Sequence, residues 1–228
     1  MIKTILWDID GTLLDFKVAE HMAIKSLFAE FGLGECTDEM IGRYSLINDS
    51  YWKRLERNEI TKDEVLTGRF VEFFGEIGVD RSIAEDFNKK YQLRLGDTIV
   101  YRDESYKLVK SLKERVMQYA VSNGTVVAQE KKLRRSGFDK LLDGIFLSEE
   151  LGVEKPNVLF FEKVFEKIKP ADLNEVIIVG DSLTSDILGG INAKIKTCWY
   201  NPGSKKADPK LNIDYEIKNL NEILGILD

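Results

Sequence analysis

The chain has little of several things that would point elsewhere. Its 228 residues hold two cysteines and one histidine. Cys36 and Cys198 form no CxxC pair and no zinc spacing, so neither a zinc site nor a disulfide is expected, and both read as reduced, partly buried thiols. A lone histidine, His21, makes a Ser-His-Asp catalytic set hard to build and reads as structural. No apolar run approaches the length of a membrane span, and the opening Met-Ile-Lys-Thr-Ile-Leu-Trp-Asp is cut off by Asp8 before it reaches signal-peptide length. Low-complexity linkers and internal repeats are missing as well. Basic residues, at 33, fall short of the 39 acidic ones, and the net charge of −6 offers no general attraction to nucleic acid or to an anionic membrane. What remains is the profile of a cytoplasmic enzyme long enough to bury a substantial core, as one large domain or as a domain with an insertion.

What is present starts at Ile5-Leu6-Trp7, an apolar run that ends in Asp8-Ile9-Asp10-Gly11-Thr12. In an extended chain residues i and i+2 share a face, so Asp8 and Asp10 are expected to enter one pocket while Ile9 packs away from it. Carboxylates gathered at the mouth of a core are costly unless a cation or a proton neutralises them. Asp181 and Asp186, in Gly-Asp-Ser-Leu-Thr-Ser-Asp, raise the number to four, and four converging acids predict a hard divalent metal, Mg²⁺ foremost.

The period of the apolar pattern changes along the chain. From Arg102 onward, short β-branched runs at 116–121, 144–147, 176–179 and 197–200, with a weaker edge candidate at 215–217, alternate with helical patterns at 104–114, 126–136, 158–167, 185–192 and 220–227. That alternation predicts an α/β fold, a Rossmann-like parallel sheet with helices on both faces. Between Leu13 and Gly96 the apolar residues recur at helical spacing, as in Ala23, Leu27, Phe28 and Phe31, with no convincing strand. The expected organisation is a catalytic core of residues 1–14 and 98–228 carrying an inserted helical-bundle cap of residues 15–97, tethered by short hinges. Such a module is expected above the carboxyl ends of the strands, where open α/β sheets bind ligands.

Four places at strand ends or helix starts then carry the chemistry. Asp8 and Asp10 are the first. Ser122-Asn123-Gly124 follows the run 116–121 and opens a helix, offering a hydroxyl and free N–H groups to an anion. Lys155, in Glu154-Lys155-Pro156, is a mobile point charge for phosphate, with Pro156 suited to a first helical turn. Gly180-Asp181, with Asp186 five residues on, completes the set. Taken singly, a Ser-Asn-Gly is a turn with a cap, a Lys-Pro is surface and a Gly-Asp is a loop. In this order, and each after a predicted strand, they favour one site.

In these residues the chain resembles the haloacid dehalogenase superfamily of hydrolases with a helical cap after the first motif. Asp8 through Thr12 resembles the nucleophile motif, Ser122 the second motif, Lys155 the third, and Gly180-Asp181 with Asp186 the fourth. Asp10 marks the phosphatases of the superfamily. A narrower likeness, to YjjG-type pyrimidine 5′-nucleotidases, is carried by residues 148–157, 185–193 and 197–201. The resemblance implies phosphoryl transfer through an aspartyl-phosphate, with Asp8 as nucleophile and Asp10 as acid and base. It also implies Mg²⁺ held by Asp8, Asp181 and the backbone carbonyl of Asp10, with Ser122, Asn123, Gly124 and Lys155 on the phosphoryl oxygens and Thr12 bracing the loop. Asp186 is read either as a partner of the metal's waters or as a first-turn helix acid, with the metal shell preferred. Two positions depart from the nucleotidase pattern: Lys194 stands where glycine is common, and Gly11 where some members carry glutamate.

Other features are set aside. Lys131, Lys132, Arg134 and Arg135 read as a solvated face of a helix. Phe70, Phe73 and Phe74 read as cap core, and Tyr44, Asn48, Tyr51 and Trp52 as candidates to face the substrate. The expected partner is a small phosphorylated substrate, a nucleoside monophosphate or a sugar phosphate, met by a monomer or a homodimer. The readings left open are a 5′-nucleotidase, a sugar-phosphate or phosphoglycolate phosphatase or phosphomutase of the same chemistry, and a catalytically idle domain that binds phosphate ligands.

Overall fold

The computed structural model describes residues 1–227 and resolves into two compact units, one of Met1–Phe16 with the chain from Ile99 onward, the other of Lys17–Thr98. In chain order, β1 (Thr4–Trp7) precedes α1 (Phe16–Glu30), α2 (Asp38–Glu56), α3 (Lys62–Ile77) and α4 (Ala84–Leu95). The chain then runs through α5 (Ser105–Leu112), β2 (Met117–Ser122), α6 (Val126–Ser136), β3 (Gly144–Leu147), α7 (Ser148–Leu151) and α8 (Val158–Ile168). It closes with β4 (Val176–Gly180), α9 (Leu188–Asn192), β5 (Lys196–Tyr200), β6 (Tyr215–Ile217) and α10 (Leu224–Leu227).

The first unit is α/β. Its six strands are parallel in the order β3-β2-β1-β4-β5-β6. The central strands are buried on both faces, which is why they read as unbroken apolar runs rather than alternating ones. Alternation still sorts the two faces: Ile5 and Trp7 join Leu108, Leu112, Leu133 and Val179 on one side, while Leu6 joins Val121, Phe160, Phe161 and Ile178 on the other. Registers align the strand ends, because Trp7 lies opposite both Ala120 and Val179, and the Asp8 N–H donates to the Val179 carbonyl at 2.9 Å. Residues just past β1, β2 and β4 therefore emerge side by side. Strand order reverses about β1, the switch point at which such sheets place a ligand.

Where the chain leaves and re-enters this unit, Asp15 N–H donates to Val100 and Arg102 N–H to Leu13, so the two connections form a short antiparallel stem. The expected helix at 185–192 begins instead as a π-type turn over Leu183–Ile187 before α9. The Ser182 N–H donates to the Asp186 carboxylate, and the Ser182 hydroxyl accepts from the Ser185 N–H, and together these hold the wider turn. Lys194 takes φ +57°, the left-handed conformation that its place after a helix demands. Pro156 lies ahead of α8 rather than in its first turn, because Asn157 caps that helix by accepting from the Leu159 N–H.

The second unit is helical, with Thr37 and Thr61 capping α2 and α3 and Gly78 ending α3 at φ +73°. Its core is aromatic: Phe28, Tyr44, Phe70, Phe73, Phe74, Phe87 and Tyr91 are all buried, with Tyr44 stacked on Phe70 at 4.9 Å between centroids. This corrects the reading of Tyr44 and Asn48 as substrate-facing. Ile41, Tyr44, Ile47, Asn48 and Leu55 form the buried stripe of α2, and the Asn48 carbonyl oxygen accepts from buried Arg69 and from Trp52. Tyr51 and Trp52 stay half-buried. His21 lies at the surface beside Asp38, at 3.6 Å. Phe70→Ala should cost this unit about 3–5 kcal/mol, read by urea unfolding, since four buried rings lose a partner. A cost below about 1 kcal/mol would mean that the ring cluster collapses freely around the void. Among the described residues, no helix is long and apolar enough to cross a membrane.

Candidate active site

The site forms where β1, β2 and β4 end together. Asp8 follows β1, Asp181 follows β4, and Asp186 reaches back from the turn beyond it; their carboxylate oxygens lie within 4.8 Å of one another. The loop between Asp8 and α1 must fold tightly over this group. Gly11 serves that need at φ +97°, and a Cβ there would lie only 2.7–2.8 Å from the Asp181 carboxyl atoms, so any side chain at this position would collide with the acid. Thr12, fully buried, donates its hydroxyl to Asp181 at 3.4 Å.

Lys155 stands at the centre. Its ammonium donates to Asp8 at 2.9 Å, to Asp186 at 2.6 Å and to the Val121 carbonyl at 2.8 Å, and the residue is only 1% exposed. It is a fixed charge, not the mobile one that sequence suggested, because all three N–H groups have partners. The backbone is fixed too: the Lys155 N–H donates to the Asn123 side-chain oxygen at 2.8 Å, and the Asn123 amide donates back to the Lys155 carbonyl at 2.9 Å. The bond from Lys155 to Pro156 is cis. Asn123 thus spends its side chain on Lys155, and the Gly124 N–H, expected to be free for an anion, donates to the Ser122 hydroxyl oxygen at 3.1 Å.

Electrostatics follow from burial. Removal from water, then the charge of Asp186, raises the Asp8 carboxyl well above the usual carboxylate range despite Lys155. The same two causes push Asp181 up to about 7. Burial by itself would lower Lys155, but the charges of Asp186 and Asp8 outweigh it and raise the ammonium instead. Fully ionised, three carboxylates against one ammonium would leave two negative charges, the charge that a divalent cation would neutralise. The donors are all oxygen, and the group fits a hard ion.

Asp10 departs from the four-acid expectation. Its carboxylate is turned out of the cluster and held by two residues of α6: the Gln129 amide donates to one oxygen at 2.5 Å and the Lys132 ammonium to the other at 2.6 Å. Asp8 and Asp10 leave the strand end in different surroundings because the chain is already turning, with the Leu14 N–H donating to Ile9 and the Gly11 N–H to Leu14. Lys132 therefore corrects the reading of residues 131–135 as a solvated face; Arg134 and Arg135 are exposed, but Lys132 is 2% exposed. Spacing carried the signal, since Ala128, Gln129, Lys132, Leu133 and Ser136 form the inward face of α6.

A family model for haloacid dehalogenase-like hydrolases matches residues 5–200. The chain is 36% identical over 226 residues to the HAD-hydrolase YfnB of Bacillus subtilis (strain 168), covering 99% of this chain and 95% of that one. A crystal structure of YfnB bound to magnesium, which reveals interdomain movement, matches with a TM-score of 0.92 over 100% of this chain and 99% of that chain. The pyrimidine 5′-nucleotidase PynA of Streptococcus pneumoniae (strain ATCC BAA-255 / R6) is 34% identical over 227 residues, 99% of this chain and 95% of its own. The pyrimidine 5′-nucleotidase YjjG of Escherichia coli (strain K12) is 26% identical over 223 residues, 98% and 96% of the two chains. This chain belongs to the haloacid dehalogenase-like hydrolase family, and it is an enzyme.

Proposed function

We propose that this hydrolase is a Mg²⁺-dependent phosphomonoesterase that acts through an aspartyl-phosphate on nucleoside monophosphates, pyrimidine nucleotides first. The observation that carries the reading is the Asp8 carboxylate, next to a fixed ammonium and within reach of two further acids at the end of the central strand. The two nucleotidase relatives, similar over nearly their whole length, support the choice of substrate. The helical insertion of residues 15–97 is assigned the role of a cap domain. Two buried, unpaired cysteines accord with a cytoplasmic enzyme.

In the reaction, an Asp8 oxygen attacks phosphorus and the bond to the ester oxygen breaks, with a proton passing from Asp10 to the departing alcohol. Water then attacks the acyl phosphate, Asp10 takes its proton, and Asp8 is restored as phosphate leaves. The Ser122 hydroxyl and the Asn123 backbone N–H hold the phosphoryl oxygens that do not react, and Lys155 joins them by turning one N–H from a carboxylate to the phosphoryl group, donors set where charge sits in the transition state. Asp8 and Asp181, with the backbone carbonyl of Asp10 and with Asp186 beside them, would hold Mg²⁺, which when bound neutralises the repulsion between nucleophile and phosphate. An idle ligand-binding domain has no need for like charges crowded at this cost.

A phosphate-release screen over nucleoside monophosphates and small sugar phosphates tests the reading. Pyrimidine monophosphates should be hydrolysed fastest, a chelator should stop turnover, and added Mg²⁺ should restore it. Full activity in metal-free buffer, or no hydrolysis of any ester with Mg²⁺ present, would reject it. Consumption of a sugar phosphate without phosphate release would point to a mutase.

A further inference from the structure

Gln129 and Lys132 sit one helical turn apart on α6 and converge on a single side chain from which nothing in the sequence motifs would predict help. Each takes a different oxygen of Asp10. The Lys132 ammonium is also fixed from another side, 5.2 Å from the centroid of the Phe16 ring. Room for the Gln129 amide comes from the second motif itself: a Cβ on Gly124 would lie 2.2 Å from the Gln129 amide nitrogen. Stability alone does not explain the pair. Their neighbours on the same face, Ala128 and Leu133, are apolar, and an apolar residue at either position would avoid burying an ammonium or leaving the Gln129 carbonyl oxygen with no partner among the described residues. Groups held at that cost are held for orientation.

We propose that Gln129 and Lys132 are positioning residues that clamp the Asp10 carboxylate apart from the three-acid cluster, so that it meets the leaving-group oxygen instead of the metal. The inference rests on the phosphomonoesterase reading and goes beyond it by assigning two residues outside the motifs. Its signature is selectivity for the leaving group. A nitrophenolate departs without a proton, whereas the alkoxide of a nucleoside needs one, so a loosened Asp10 harms only the second kind of ester. The relevant quantity is kcat/KM, which reports every step up to departure of the first product.

The test compares p-nitrophenyl phosphate with uridine monophosphate on the Mg²⁺-loaded enzyme and on its Lys132→Met and Gln129→Met variants. The expected result is a fall of about 10- to 100-fold in kcat/KM for the nucleotide, against a change of less than about threefold for the aryl ester. Mg²⁺ affinity, read by titration calorimetry, should be unchanged, since the Asp10 carboxylate lies outside the cluster. Equal losses on both esters, or weakened Mg²⁺ binding, would overturn the clamp. Should Lys132→Met fail to fold, the comparison is read on Gln129→Met, and failure of both to fold would mark the pair as structural and likewise overturn it. A wild-type enzyme that cleaves neither ester would instead defeat the phosphomonoesterase reading.

Discussion

Asp8→Asn should abolish hydrolysis, with a loss of about 10⁴-fold or more, while the protein folds and melts close to the parent. An amide of the same shape keeps an oxygen for Lys155 to donate to, and the backbone bond from residue 8 to Val179 is untouched. It is, however, a poor nucleophile, so the displacement that Asp8 is proposed to split into two steps returns to a single slow one. Phosphate release in time-course assays measures the effect, and turnover within about tenfold of the parent would remove Asp8 from the reaction.

Lys155→Met should act on stability and chemistry together. The substitution keeps the length of the side chain but leaves three buried carboxylates facing one another, and it deprives the Val121 carbonyl of its donor. Without metal, and above pH about 7 where Asp181 is ionised, the variant should lose about 3–5 kcal/mol, the cost of leaving buried charge unpaired. Mg²⁺ should recover a larger share of that loss than it adds to the parent, because the cation now meets more uncompensated charge. Activity with Mg²⁺ present should still fall about 10²- to 10³-fold, since the ammonium that holds Asp8 and can turn a donor to the phosphoryl group is missing. Thermal melts with and without Mg²⁺ separate the two effects; a melting point equal to the parent's in metal-free buffer would show that the three acids are not charged together.

How much of this was legible in the sequence depended on what each residue had to satisfy locally. The sheet was legible because parallel strands buried on two faces must be apolar throughout: the run at 144–147 is β3, and those at 116–121 and 176–179 lie within one residue of β2 and β4. Motif positions were legible because strand ends expose backbone and accept polar residues. Three features were not. The direction of the Asp10 carboxylate depends on the turn through Gly11 to Leu14 and on donors some 120 residues away, beyond any local period. Lys132 was misread because lysine on an amphipathic helix is ordinarily solvated, and only its register with Gln129 and Leu133 shows it facing inward. Tyr44 was misread for the opposite reason: an aromatic residue suits a binding surface and a helical core equally, and burial against Phe70 decided between them.

The account rests on Asp8 accepting the phosphoryl group. Acid quenching during turnover of a nucleotide, followed by peptide mapping by mass spectrometry, tests that directly. A phosphoryl adduct should be found on the peptide carrying Asp8, rising within the first turnover and missing from Asp8→Asn. An enzyme that turns over rapidly yet never carries phosphorus on Asp8, or carries it on another residue, would contradict the account.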